Sequence, residues 1–518
     1  MHSWNMGYDT ETNYNYLYFG QLNPHRIRFN FISQGLAFPK IDQNFNACEL
    51  GFGNGLSIIL HSAASIESWY GNDFNPSQVN YAKQLAKHGD VNANLSDDAF
   101  DEFLKRDDLP MFDYICLHGI WSWISPENQD VIVEFVKNKL KVGGILYISY
   151  NNKQVYSSIE PFRCIINSYI QNLGDPAKNN VQSIPDALAF VNKLVATKPG
   201  YTKHTPWALD RYTNNVIKQD QEYVGHEYAN GYWLLQNFEQ VAAKFEQAKL
   251  SYVCQAHLPD NLTDYFLSDE QKALYKQYVN TPLANEVLDF ISENSFRSDI
   301  YVKGAVKLST KQQLKELDDT YFICTRPIDG NDYQCKFRGR DHKIDLKRIE
   351  PIINIFKDNK CHSYKELRET LCSESNTKGK NAPVISEGEL FSQVVYATAC
   401  GMIFPATNPE FINEQMVERC IKLNKYILNG NQNESIMALA SPVLGGGISI
   451  DDVDKVLMNL TLKLQDITPE VLAFAIKDIL IDKNSNESEQ AKIEEQAIIY
   501  ATNFLNFKMP LYRTLMLV

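Results

Sequence analysis

The first third of the chain alternates short apolar runs with stretches whose apolar positions recur every three to four residues. A bounded apolar run of four to eight residues reads as a strand, and the 3.6-residue spacing reads as a helix. On that pattern, 45–50, 69–72, 91–95, 112–117 and 145–150 are five predicted strands. A helix follows the first strand over 56–64, and another runs from Asn75 to Leu85, with Asn75 as N-cap and Pro76 in the first helical position. A short helix follows Asp97 to Phe100. A longer one follows Ser125-Pro126-Glu127, with Val131, Ile132, Phe135, Val136 and Leu140 on its apolar face. Strands separated by helices predict βαβ units, hence a doubly wound α/β sheet.

The pattern changes downstream. Residues 151–221 are polar and partly helical, an insertion near the strand ends. An amphipathic helix over 238–250 precedes an apolar run at 251–256, and a second such run lies at 320–325. We expect these to be the last helix and final two strands of the sheet, with 258–318 as a helical insertion. Three helical patterns at 344–356, 363–371 and 387–399, followed by an apolar stretch at 401–405, predict a winged-helix-like unit over 328–406. The last segment, 407–518, reads as a helical domain with a glycine turn at Gly445-Gly446-Gly447 and a solvated polar run over 482–495.

Composition narrows the classes. The chain has 518 residues, 44% hydrophobic, with a formal charge of -13. That balance excludes wholesale disorder and argues against duplex nucleic acid as the main partner. Residues 336–348 are locally basic, so DNA binding is conceivable for that unit, but protein docking or a homodimer is the expectation. No apolar run reaches the ~18 residues of a membrane helix, and the first residues carry neither a basic start nor an apolar core. The ten cysteines form no Cys-x-x-Cys pair, so reduced thiols and a cytoplasmic location are expected.

In such a sheet the chemistry lies at the carboxyl ends of the strands. After the first strand stands Glu49-x-Gly51-x-Gly53-x-Gly55, a loop that lets backbone amides approach a ligand. Asp73 ends the second strand, where a carboxylate grips ribose hydroxyls, and Asp97 and Asp98 follow the third, placed for an exocyclic amine. The order predicts a nucleoside-type ligand. No second nucleotide-binding half follows residue 150, which argues against a nicotinamide dehydrogenase.

These residues, with the Lys141-x-Gly143-Gly144 turn, resemble the class I S-adenosylmethionine-dependent methyltransferases. Asn23-Pro24-x-Arg26 and the runs at 69–78, 117–125 and 296–304 are more specific. They resemble the bacterial methyltransferases with a methyltransferase regulatory domain, including rickettsial lysine methyltransferases of outer membrane proteins. The likeness covers about 14–330 well, with the regulatory-domain-like region at about 222–305 inside a methyltransferase core of 1–327. Val142 departs from the usual proline, at a position that shapes a turn. The resemblance implies S-adenosylmethionine as cofactor. Glu49, Gly51, Gly53 and Gly55 would line its methionine and ribose, and Asp73 would bind the ribose hydroxyls. Asp97 or Asp98, with the Ala99 backbone, would hold the adenine, Phe74 would pack on the ring, and His118 and Gly119 would flank the methionine end.

Methyl transfer needs an aligned acceptor with a free lone pair. A lysine amine, with an ordinary pKa of about 10.4, must be desolvated to lose its proton. Candidates for such an acceptor pocket are Tyr14, Tyr16 and Tyr18 in the lead, His118, Trp121 and Trp123 after the fourth strand, and His226, Glu227 and Tyr228 further on. Both tryptophans equally suit plain packing of their loop. The fourth strand is not followed by Asn-Pro-Pro-Phe or Asp-Pro-Pro-Tyr, which argues against an adenine methyltransferase. By resemblance the acceptor is protein lysine, on an outer membrane or surface protein. The alternatives are a small molecule or surface-glycan precursor and, in another class, a cofactor-binding scaffold.

Overall fold

The computed structural model describes residues 16–175, 177–219, 221–328, 333–373, 384–430, 436–464, 467–480 and 487–518. Its centre is a seven-stranded sheet of order β3-β2-β1-β4-β5-β7-β6. The strands are β1 (Asn46–Leu50), β2 (Ser68–Asn72), β3 (Asn94–Ser96), β4 (Phe112–Leu117), β5 (Leu140–Asn151), β6 (Ser251–Gln255) and β7 (Phe296–Val302). All run parallel except β7, which pairs antiparallel with both β5 and β6. This is a doubly wound α/β sheet, as the pattern predicts, in the class I methyltransferase arrangement that the resemblance implies. The third strand is shorter than its apolar run, starting at Asn94 because Val91 packs back under the helix before it. The expected turn at Lys141 to Gly144 is a bulge within the continuous β5, with Gly143 at φ +82° and Val142 exposed.

Helices cover the sheet. α1 (Pro24–Ser33) precedes it, followed by α2 (Leu56–Ala64), α3 (Pro76–Gly89), α4 (Phe100–Leu104) and α5 (Pro126–Lys139). The N-caps are side-chain oxygens of Asn23, Asn75 and Ser125, each followed by proline. Each satisfies an amide that the helix itself leaves open.

Two expectations about the downstream strands change. The run at 320–325 does not join the central sheet. Tyr321–Cys324 (β8) is instead the middle strand of a separate three-stranded sheet, between β11 (His362–Ser363) and β12 (Ile403–Ala406). The seventh strand is 296–302, placed in an insertion by the sequence pattern. Its sequence hid it: Arg297, Ser298 and Asp299 break the apolar run. Yet β7 is central, and every residue but Phe296 is buried. Its charges are buried because they pair with one another and with Asp289.

The expected insertion at 151–221 is helical, with its own core around Phe162, Ile184 and Tyr212 that reaches back to Trp123 and Trp233. The unit after residue 328 begins with a hairpin, β9 (Gln334–Phe337) and β10 (Arg340–Lys343), followed by helices Leu346–Ile355, Tyr364–Leu371 and Glu387–Ala399. The last segment is tied to the core rather than separate. Its hairpin, β13 (Ala438–Ser441) and β14 (Gly446–Ser449), packs on α2, and its helix Glu414–Asn429 packs on α3. The Asn23 amide donates to Leu444 O at 2.8 Å. A Cβ on Gly446 would lie 2.7 Å from both Asn23 Nδ2 and His61 Nδ1, so only glycine allows this contact. The polar run at 482–495 lies partly outside the described residues.

Candidate active site

At the carboxyl ends of β1, β2 and β4 a chamber opens between the glycine loop, the loop after β4 and the lead into α1. Phe19, Glu49, Gly51, Gly53, Asp73, Phe74, Ala99, His118, Trp123 and Tyr232 are among its walls. Gly51 at φ +66° and Gly55 at φ +73° use left-handed backbone, which glycine adopts without strain. A Cβ at Gly51 would come within 2.8 Å of Ile120 Cδ1, and one at Gly55 within 2.6 Å of Ala82 Cβ. The glycines thus let the loop close down on the β4 loop and on α3.

Asp73 organises this loop. Its carboxylate accepts the Gly53 amide at 2.8 Å and the Asn75 amide at 2.9 Å. Each oxygen keeps capacity for a further donor. Burial pushes its pKa up to about 7, against the two amide bonds that pull it down. Glu49 is 3% exposed, and its Oε2 has no hydrogen-bond partner among the described residues. Burial, and then the neighbouring Asp73, raise it to about 8. A buried carboxylate oxygen left unpaired is costly, and a cationic ligand group would relieve it. The methionyl ammonium and ribose hydroxyls of S-adenosylmethionine fit this donor and acceptor set, with Phe74 and the Ala99 backbone beyond it.

His118 stands opposite. Its ring lies 3.9 Å from that of Phe19, and its Nδ1 lies 2.7 Å from the Tyr147 hydroxyl and 3.1 Å from Ser149 Oγ. Ser149 also accepts the Gly119 amide at 2.8 Å. Burial lowers the imidazole to about 3, so it is neutral at physiological pH.

Of the expected cofactor residues, Glu49, Gly51, Gly53, Asp73, Phe74, Ala99 and His118 meet in the chamber. Gly55 acts from behind as the close contact with α3. Gly119 is spent on Ser149. Asp97 is exposed, while Asp98 accepts from Ser96 Oγ and pairs with Arg106 at 3.2 Å. Neither lines the chamber. The acceptor-side expectations fare differently, and of those among the described residues only His118 and Trp123 are walls. Trp121 is fully buried, donating to Gln236 at 2.6 Å and packed on Phe245, because the turn after β4 directs it into the core. The Tyr18 hydroxyl accepts the Gly447 amide, pinning the lead to the C-terminal hairpin. Tyr16 packs on Tyr81 of α3. Tyr228 is buried in the helical insertion, where Glu227 is likewise raised to about 7 by burial. Tyr14 and the His226 side chain lie outside the described residues.

Phe19 and Tyr232 were missed. Phe19 sits in a tyrosine-rich lead where nothing in the spacing separates it from Tyr18. Tyr232 arrives from a loop more than a hundred residues past β4, which no local pattern reveals.

Comparison with known proteins bears on the fold and the family. A family model described as "Predicted methyltransferase regulatory domain" matches residues 220–303. The protein RP789 of Rickettsia prowazekii is 23% identical over 446 residues, 83% of this chain and 70% of that one. The structure of PKMT2 from Rickettsia typhi in complex with AdoHcy superposes with a TM-score of 0.65 at 16% identity, covering 97% of this chain and 99% of that one. The protein sll1526 of Synechocystis sp. is 31% identical over 515 residues, 98% of either chain. The chain therefore belongs to the family of sll1526, with a class I methyltransferase fold that carries a methyltransferase regulatory domain.

Proposed function

We propose that this chain transfers a methyl group from S-adenosylmethionine to lysine side chains of a protein, an outer membrane or surface protein by family resemblance. The observation that carries the cofactor half is the pair of buried carboxylates on the glycine loop, Glu49 with an unpartnered oxygen and Asp73 with lone pairs to spare. Glu49 would take the methionyl ammonium, Asp73 the ribose hydroxyls, and Phe74 the adenine face. When bound, the cofactor supplies an electrophilic methyl on a sulfonium whose leaving group is a neutral sulfide.

The remaining work is done by the walls. A lysine Nζ–CH3 bond forms as the S–CH3 bond breaks, so the amine must arrive unprotonated and in line. Phe19, Ile120, Trp123 and Ile124 make that side of the chamber apolar, which disfavours the ammonium form. His118, at about 3, cannot take a proton from an ammonium near 10. Its role is to orient, held by Tyr147 and Ser149, while the proton leaves to water before transfer.

The test is a titration of the full chain with AdoHcy, followed by labelled-methyl transfer to membrane-protein, soluble-protein and small-molecule extracts of the source cell. Label recovered as methyl-lysine is the expected result. Label confined to small molecules would overturn the lysine acceptor, and absent AdoHcy binding would overturn the cofactor assignment.

A further inference from the structure

A second cavity lies on the same edge of the sheet. It sits between α1, the turn that follows β6 and the sheet of β8, β11 and β12, with Gln21, Arg26, His257, Arg326, Lys336 and Phe404 among its walls. Strand β6 runs parallel to β1 and β4, and Ala256, directly after β6, also faces the cavity. The cavity therefore opens at the carboxyl ends of the strands, as the methyl-transfer chamber does. The two are adjacent in the chain: Phe19 walls one and Gln21 the other. The Gln21 amide also acts on the Tyr147 hydroxyl, which lies 2.7 Å from His118 Nδ1.

Its charge is one-sided. Among the described residues no aspartate or glutamate lines it. Arg26 stacks on Phe404 with 3.7 Å between guanidinium carbon and ring centroid, yet makes no hydrogen bond or ion pair with any described residue. A guanidinium carries five donors, and those of Arg26, which is half-buried in the wall, remain open to a ligand. Arg326 spends one on Gln334 O at 3.1 Å and meets no carboxylate among the described residues. Lys336, at the rim, faces Asp341 at 3.8 Å, and both are largely exposed. Two arginine forks with an exposed lysine leading to solvent suit a carboxylate that enters on a chain better than a free small ion. In a protein of charge -13, such a patch is a specific feature.

We propose that this cavity is an acceptor subsite that receives a carboxylate side chain of the methyl-accepting protein, so that the modified lysine stands in an acidic stretch. The proposal rests on the lysine reading of the neighbouring chamber. It accounts for Arg26 in the Asn23-Pro24-x-Arg26 motif, in which Asn23 caps α1 and ties down the C-terminal hairpin.

The experiment titrates the full chain, saturated with AdoHcy, with an eight-residue peptide holding one lysine among glutamates, and with its glutamine twin. The glutamate peptide should bind about tenfold tighter or more at low salt, the size of one charge-assisted contact. Arg326→Ala should remove most of that preference while leaving the glutamine twin and AdoHcy unchanged. Lys336→Ala should reduce it less, and Arg26→Gln should remove it if that variant folds. Equal binding of the two peptides, no binding of the glutamate peptide, or a preference intact in Arg326→Ala would overturn the subsite. AdoHcy titrated alone reports on the cofactor assignment, so the two failures are distinguishable.

Discussion

Two clusters of buried charge lie in the central sheet, and they are built on opposite terms. In the β7 cluster every charge has its partner. Arg297 bonds to Asp289 at 2.6 Å and to Asp299 at 2.9 Å, Arg338 bonds to Asp289 at 3.1 Å, and Tyr150 donates to Asp299 at 2.7 Å. Arg297, Asp289 and Asp299 are all fully buried. At the glycine loop, Glu49 and Asp73 are almost as deeply buried, but among the described residues no cation neutralises them and one oxygen is unmet. Desolvating an ion costs several kcal/mol, so the first arrangement holds structure together and the second waits for a ligand. The paired cluster joins β5, β7, helix Leu283–Ser292 and the hairpin at Arg338, and so locks the regulatory region onto the sheet.

The largest expected effect follows from that contrast. Arg297→Met removes the shared cation, leaving buried Asp299 with none and Asp289 with Arg338 alone, which should destabilise the protein by about 3–5 kcal/mol. Denaturant midpoints read this directly. A loss under 1 kcal/mol would mean the cluster is not the lock described.

The same contrast explains what was legible in the sequence. The glycine loop, Asp73 and the first five strands follow local rules of turn chemistry and periodicity, so they could be read directly. Strand β7 could not, because Arg297 and Asp299, which pair with each other, complete their bonds only with Asp289, Tyr150 and Gln255 in other elements. Strand β8 was recognisable as a strand, but its sheet was not, since pairing with β11 and β12 is decided far along the chain. Among site residues, Trp121 and Tyr18 have suitable chemistry and adjacent positions, and differ from Trp123 and Phe19 only in direction. Direction is set by packing against Phe245 and Gly447, which sequence spacing does not encode.

Asp73→Ala sharpens the comparison from the other side. It deletes one of the two unneutralised carboxylates, so relief of burial offsets the loss of its bonds to the Gly53 and Asn75 amides. Stability should change by about 1 kcal/mol or less. AdoHcy affinity should fall about ten- to a hundredfold, as two charge-assisted ribose contacts are lost. A variant that unfolds like Arg297→Met would put Asp73 in the structural class instead.

The smallest effect, and the most diagnostic, is in protons. Glu49 titrates near 8 and Asp73 near 7, both raised by burial. Groups whose folded pKa is raised contribute stability that is complete below the ordinary carboxylate range and is lost as pH rises through the folded values. The ligand-free protein should therefore lose some thermal stability between pH 5 and 8. A bound ammonium beside Glu49 favours the ionised form and lowers its pKa. At pH 7 AdoHcy binding should then release a fraction of a proton, and its affinity should rise from pH 6 towards 8. Calorimetry in buffers of different ionisation enthalpy measures that release. Glu49→Gln should abolish most of it, and should also reduce the loss of stability above pH 7, since only the Asp73 charge is then left to desolvate. Heats that are the same in every buffer would mean that Glu49 is not where the cation sits, and its unmet oxygen would then be a cost without a ligand to explain it.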